Sequence, residues 1–116
     1  MTIHSSQIEL LSRALEFAQQ NHRVISQNIA NVNTPNYQTR ELSFDAMLKV
    51  IERDSDSSKP LVLETRLTEG LPIRMDGNNV DLDREIASLK RNELIFQTLS
   101  QLMGARFDLM KAAIRG

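Results

Sequence analysis

Two long antiparallel helices, joined by a small irregular or β-hairpin module, are the architecture this 116-residue sequence predicts. Three observations point to that mainly α fold. Ile8, Leu11, Leu15, Ala18, His22, Ile25, Ile29 and Val32 recur at spacings of 3, 4, 3, 4, 3, 4 and 3. That is a coiled-coil seam held through more than three heptads. A second apolar stripe, Ile86, Leu89, Phe96, Leu99, Met103, Phe107, Met110 and Ile114, occupies the other end of the chain. Aromatic residues make up only 4%, with one Tyr and no Trp. Helices packed side by side through Leu, Ile and Met tolerate that scarcity better than a compact globule does.

The first helix is expected from about residue 6 to residue 32. Ser5 and Ser6 suit its start, and Glu9, three residues after Ser6, completes a capping-box pattern. Leu10, Ala14, Phe17 and Val24 widen the seam on one flank. The last helix is expected from about 82 to 114, with Asp81 as N-cap, Asp83 and Glu85 in the first turn, and Lys111 and Arg115 in the last. Acids at the start and bases at the end complement the helix dipole. Gly104 is an internal weak point of about 1 kcal/mol relative to Ala, and suits either a close helix contact or a slight bend.

Between the helices the sequence changes character. Residues 41–48 suit a short helical or extended piece, and Asp54-Ser55-Asp56-Ser57-Ser58-Lys59-Pro60 reads as a loop. Leu61-Val62-Leu63 and Leu71-Pro72-Ile73 are candidate strands, with residues 64–70 as the hairpin connection. Asp76-Gly77 is a turn signal. The chain therefore divides into 1–38 (helix and Asn-rich corner), 39–80 (variable middle module) and 81–116 (C-terminal helix), the two helices forming one helical domain.

Composition excludes several function classes. Net charge is −1, which gives no basic footprint for nucleic acid. Residues 41–80 hold eight acids and five bases, a local −3, and each terminal portion is +1. No apolar run approaches a membrane span. The first 20 residues lack the basic start, apolar block and small-residue site of a secretory signal. With no Cys there is no disulfide or thiol chemistry.

No catalytic, cofactor or metal site is expected. His4 and His22 lie about five helical turns apart, too far to share a metal; His22 sits on the seam as a partly buried polar residue setting register. Asp54, Asp56 and Ser58 imitate the first ligands of a calcium loop, but Lys59 and Thr65 stand where Gly and Glu are required. Asp76, Asp81, Asp83 and Glu85 cluster, and capping with dipole compensation accounts for all but Asp76. There is no nucleophile elbow and no Gly-rich phosphate loop. An enzyme is not expected.

The most specific stretch is Ser26-Gln27-Asn28-Ile29-Ala30-Asn31-Val32-Asn33-Thr34-Pro35-Asn36-Tyr37. Cap- and turn-forming amides alternate with apolar residues, and Thr34-Pro35 must stop the helix. This run resembles the N-terminal signature of the flagellar basal-body rod proteins and their hook relatives, close to S-x-N-I-A-N-x-x-T-P-G-Y. Asn36 stands where that family usually has Gly; Asn is the non-glycine residue that best tolerates a left-handed backbone. A second block, Asp76-Gly77-Asn78-Asn79-Val80-Asp81-Leu82-Asp83-Arg84-Glu85, resembles the opening of the C-terminal helix in the family's proximal rod members. The resemblance spans about residues 8–48 and 76–116.

It implies a structural subunit of the proximal rod, self-assembling with other rod subunits into the drive shaft that transmits torque. It implies as partners the flagellar type III export apparatus and the export-gate adaptor FliE. It implies a location in the periplasmic rod of the flagellar basal body, reached without a cleaved signal peptide. Leu11, Leu15, Ile25 and Ile29 with Phe96, Leu99, Met103, Phe107 and Met110 are the expected packing and assembly residues. Ser26, Asn28, Ile29, Asn31, Asn33, Thr34, Pro35 and Tyr37 are expected to fix the corner, and Asp76, Gly77, Asn79 and Asp81 the start of the last helix. Ile95, Leu102 and Leu109 add an apolar face to that helix that one partner cannot cover, so neighbours are expected to complete the fold. The alternative is a small helical adaptor or type III secretion chaperone, which would fold as a stable dimer with its own core.

Overall fold

The structure, a computed structural model, describes residues 2–53 and 58–116. The Asp54–Asp56 calcium-like pattern and the side chain of His4 lie outside the described residues. In order come α1 (Thr2–Ala30), β1 (Arg40–Glu41), α2 (Phe44–Arg53), β2 (Arg66–Leu67) and α3 (Leu82–Arg115). The molecule is a rod of 65 × 28 × 18 Å. α1 and α3 run antiparallel: Asn28 meets Glu85 near one end, and Asn21 meets Asn92 further along.

α3 begins as its sequence dictates. Asp81 has an extended backbone, and its carboxylate accepts from the Arg84 N–H at 3.2 Å. The face withdrawn from solvent is Glu85, Leu89, Asn92, Phe96, Leu99, Met103, Arg106 and Met110, a 4-3-4-3-4-3-4 spacing with Ser88 at its margin. The seam is thus a heptad pattern as expected, but shifted where polar residues occupy it. Glu85 and Asn92 are buried, whereas Ile86 and Phe107 lie on the flank, 37% and 46% exposed. On α1, Asn21 rather than His22 turns toward α3, and His22 is exposed. The reason is hydrogen bonding: amides that find partners across the helix pair replace apolar side chains there.

The middle of the chain differs from expectation. Residues 61–63 and 71–73 form no strand. Arg40↔Leu67 and Glu41↔Arg66 pair antiparallel instead, within the stretch read as the connection. Leu61 is an anchor: it is buried, its N–H donates to Glu16 Oε2 at 2.9 Å, and its carbonyl accepts from Gln20 Nε2. Its neighbour Val62 is exposed. α2 is an amphipathic helix with Met47 buried, and Phe44 meets Phe17 of α1 edge to face at 5.9 Å. Ala18, Val24, Ile25, Met47, Leu61 and Val80 form the buried apolar core.

Candidate functional site

The residues of the Asn-rich run converge with 74–80 and the start of α3 into one polar corner. α1 ends at Ala30 because its last turns tighten: the Asn31 N–H is shared between the Gln27 and Asn28 carbonyls, and Val32 N–H reaches Ile29. Thr34 N–H then donates to the Asn31 carbonyl, and Thr34 Oγ1 to Asn31 Oδ1, both at 3.0 Å. The chain turns at Pro35-Asn36, where Asn36 adopts φ 64° and donates its N–H to the Asp76 carbonyl at 2.9 Å.

A helix end leaves carbonyls without intrahelical donors. Here a distant side chain supplies them. Asn78 is fully buried; its Nδ2 donates to both the Asn31 and Thr34 carbonyls at 2.8 Å, and its Oδ1 accepts the Val80 N–H at 2.8 Å. The Arg74 guanidinium adds a donor to the Val32 carbonyl and another to that of Val80. Asp76 accepts from the Asn78 N–H and sits 3.7 Å from the Arg74 guanidinium. Sequence reasoning singled out Asp76, Gly77, Asn79 and Asp81 but passed over Asn78, for which tandem amides after Asp-Gly were the available signal.

Asn28 is the second hub. Its Nδ2 donates to the Arg40 carbonyl (2.8 Å) and to Glu85 Oε2 (3.0 Å). Its Oδ1 accepts from Tyr37 Oη (2.9 Å) and the Arg40 N–H (3.1 Å). All four hydrogen-bonding positions of the carboxamide are used, which is how a polar side chain 1% exposed is accommodated. Asn79 makes the third link: Oδ1 accepts both the N–H and Oγ1 of Thr39, and Nδ2 donates to Gln38. Further along the helix pair, Asn21 Nδ2 donates to Asn92 Oδ1, and Asn92 Nδ2 to the Ala18 carbonyl.

Burial pushes the Glu85 carboxyl above its usual range, with the Asn28 hydrogen bond and Arg84 partly opposing the rise and Asp81 and Glu41 adding to it. Burial likewise raises the Tyr37 phenol, against Arg40 and with Glu85. Through Asn28 both groups are tied to the Arg40 backbone, so the arrangement holds that backbone in place. Among the described residues no three His, Cys, Asp or Glu side chains are placed to hold a metal, and no helix is long and apolar enough to cross a membrane.

The remaining expected residues separate. Ser26 is half-buried beside a groove that Ala18 and Phe96 also line. Ile25 is buried; Leu11, Leu15, Ile29, Phe96, Leu99, Met103 and Met110 are half-buried along the helix pair. Asn33 and Pro35 are exposed at the tip of the corner. The other stripe of α3 is bare: Ile95, Leu102 and Leu109 are 47%, 48% and 57% exposed.

Residues 8–38, covering most of α1 and the turn, match the family model described as flagella basal body rod protein. The chain is similar along its whole length to curated relatives. It is 30% identical to the flagellar basal body rod protein FlgB of Bacillus subtilis (strain 168), with 100% of this chain and 98% of the relative covered. It is 30% identical to FlgB of Borrelia hermsii, covering 99% and 100%. It is 33% identical to FlgB of Escherichia coli (strain K12), covering 89% of each.

Proposed function

This chain belongs to the FlgB family of flagellar basal body rod proteins, and from that premise we propose how its geometry serves the rod. It is a structural subunit of the flagellar basal body that assembles with other rod subunits. The bare α3 stripe of Ile95, Leu102 and Leu109 carries the reading. A helix with apolar residues on two faces needs a second neighbour, and the hairpin supplies only one. In the rod, α1 and α3 stand among helices of adjacent subunits, torque passes as shear across these seams, and the middle module lies outside.

The subunit works in the periplasmic part of the rod. It leaves the cytoplasm through the flagellar type III export apparatus without a cleaved signal, and FliE is its contact at the export gate. The corner serves this by fixing where α1 ends, so that α1 and α3 meet in one register. It performs no reaction. The adaptor or chaperone reading is not favoured, because FlgB relatives match the chain from end to end and because such a protein would bury the stripe left open here.

Deleting the chain in its source cell should abolish motility and leave basal bodies that lack a completed rod by electron cryotomography. Complete, rotating flagella in the deletion strain would end this reading.

A further inference from the structure

The bare stripe of α3 does not end at Ile95. Followed toward the N-terminus at the same heptad spacing it continues through Arg91, Ser88 and Arg84, so one face reads Arg84, Ser88, Arg91, Ile95, Thr98, Leu102, Ala105, Leu109. Its first half is basic and its second half apolar. The basic half borders a pocket of about 160 Å³ between α3, α1 and β1, with Ile25, Leu42 and Ile95 in its wall and a third arginine, Arg40 of β1, also lining it.

The carboxylates at this pocket are already engaged. Glu41 accepts from Arg66 at 3.1 Å, and Glu85 is buried against Asn28. Arg40, Arg84 and Arg91 are exposed, and among the described residues none of the three makes an ion pair. Three exposed arginines outside any ion pair among the described residues, around a partly apolar recess in line with an apolar seam, specify the chemistry of what lies there. Charges flanking a helical seam set partner orientation and register more than they add affinity.

We propose that the α3 stripe is a two-part docking seam whose occupant is a helix of an adjacent rod subunit carrying carboxylates beside its own apolar heptads. Resting on the rod reading above, this adds the selector: Leu102 and Leu109 provide the contact area, and Arg84 and Arg91, with Arg40 at the same pocket, fix the register by receiving the carboxylates. A partner helix shifted by one heptad toward the C-terminus of α3 would carry the acid meant for Arg91 onto Thr98 and leave Arg84 facing an apolar or neutral position.

The test is charge reversal with suppressor selection in the source cell. R84E/R91E should fold with unchanged helical circular dichroism yet lose at least nine-tenths of the swarming halo, whereas R84K/R91K keeps it. Motile revertants of R84E/R91E should carry acid-to-base changes in a helix of another rod subunit. Wild-type swarming of R84E/R91E, or revertants confined to this chain, would overturn the inference. If the reversal changes the dichroism, R84Q/R91Q is read in its place: loss of most of the halo supports the inference, and wild-type swarming overturns it. A motile deletion strain would instead sink the rod reading itself, so the two failures are distinguishable.

Discussion

Asn36 and Gly77 face one another across the corner, both in left-handed backbone, with φ of 64° and 81°. A Cβ on Gly77 would overlap Asn36 Oδ1 and lie 3.2 Å from Asn36 Cα. Gly77→Ala should therefore destabilise by about 2 kcal/mol or more, adding overlap to the roughly 1–2 kcal/mol cost of a left-handed non-glycine residue. Asn36→Gly should lie within about 1 kcal/mol of wild type and weaken the effect of Gly77→Ala in the same chain. Urea midpoints of the four proteins form the cycle; strictly additive shifts would show that the two positions do not compete for space.

Asn78→Ala should be among the most damaging single changes. It removes the second donor from the Asn31 and Thr34 carbonyls, which keep the Thr34 and Tyr37 N–H groups, and leaves the buried Val80 N–H without its acceptor. A buried group left without its partner costs about 1–3 kcal/mol, so a loss of about 3 kcal/mol is expected. Amide hydrogen exchange should quicken in the last turn of α1 as well as around Val80. Acceleration near residue 80 alone would contradict the long-range capping described here.

Glu85 gives the fold a pH dependence of definite sign. Its folded carboxyl lies above the ordinary 4.5, with burial as the leading cause. The folded chain thus keeps that proton to higher pH than the unfolded chain. The associated stability is present below the unfolded value and is lost as pH rises through the folded one. Urea midpoints from about pH 4 to about pH 7 should fall on this account, and Glu85→Gln, which retains an oxygen for Asn28 Nδ2, should flatten the slope. Asn28→Asp should do the opposite, placing a second acid beside Glu85 and costing about 2 kcal/mol or more at neutral pH, partly recovered on acidification. Equal slopes in wild type and Glu85→Gln would assign the pH dependence to another group.

Gly104 and Leu102 separate folding from assembly. Among the described residues, and apart from the backbone of α3 and the adjoining residues, nothing lies within 4 Å of a Cβ built on Gly104, so they bring no close helix contact to it. Gly104→Ala should raise the stability of the isolated protein by about 1 kcal/mol. Leu102→Glu, on the bare stripe, should leave its circular dichroism unchanged and abolish swarming. If Gly104→Ala also impairs swarming while stabilising the monomer, a neighbouring helix approaches at that turn in the rod.

The helices were legible because their signals are local: the Asp81 cap, the acid-to-base gradient of α3, and Pro35 after the amide-rich end of α1. The facing surfaces were legible only in part. Apolar periodicity favours Ile86 and His22's row over Glu85, Asn92, Asn21 and Asn28, whose burial depends on partners up to 74 residues distant. The Arg40–Glu41 and Arg66–Leu67 ladder carries no alternating apolar pattern, so nothing local announced it. Conversely, Leu61 to Leu63 looked like a strand because an anchor and a strand use the same residue types. At the corner the turn was readable, but the side chain that secures it, Asn78, was not, because its role is defined by carbonyls in a different part of the chain.

Since Asn78 grips a carbonyl 47 positions earlier, the turn after α1 is secured only once two-thirds of the polypeptide has been made. A chain folding from its N-terminus would form α1 and the Pro35 turn early, yet leave the Asn31 and Thr34 carbonyls with backbone donors alone until that amide arrives. Arrival of the tail thereby acts as a latch on the head.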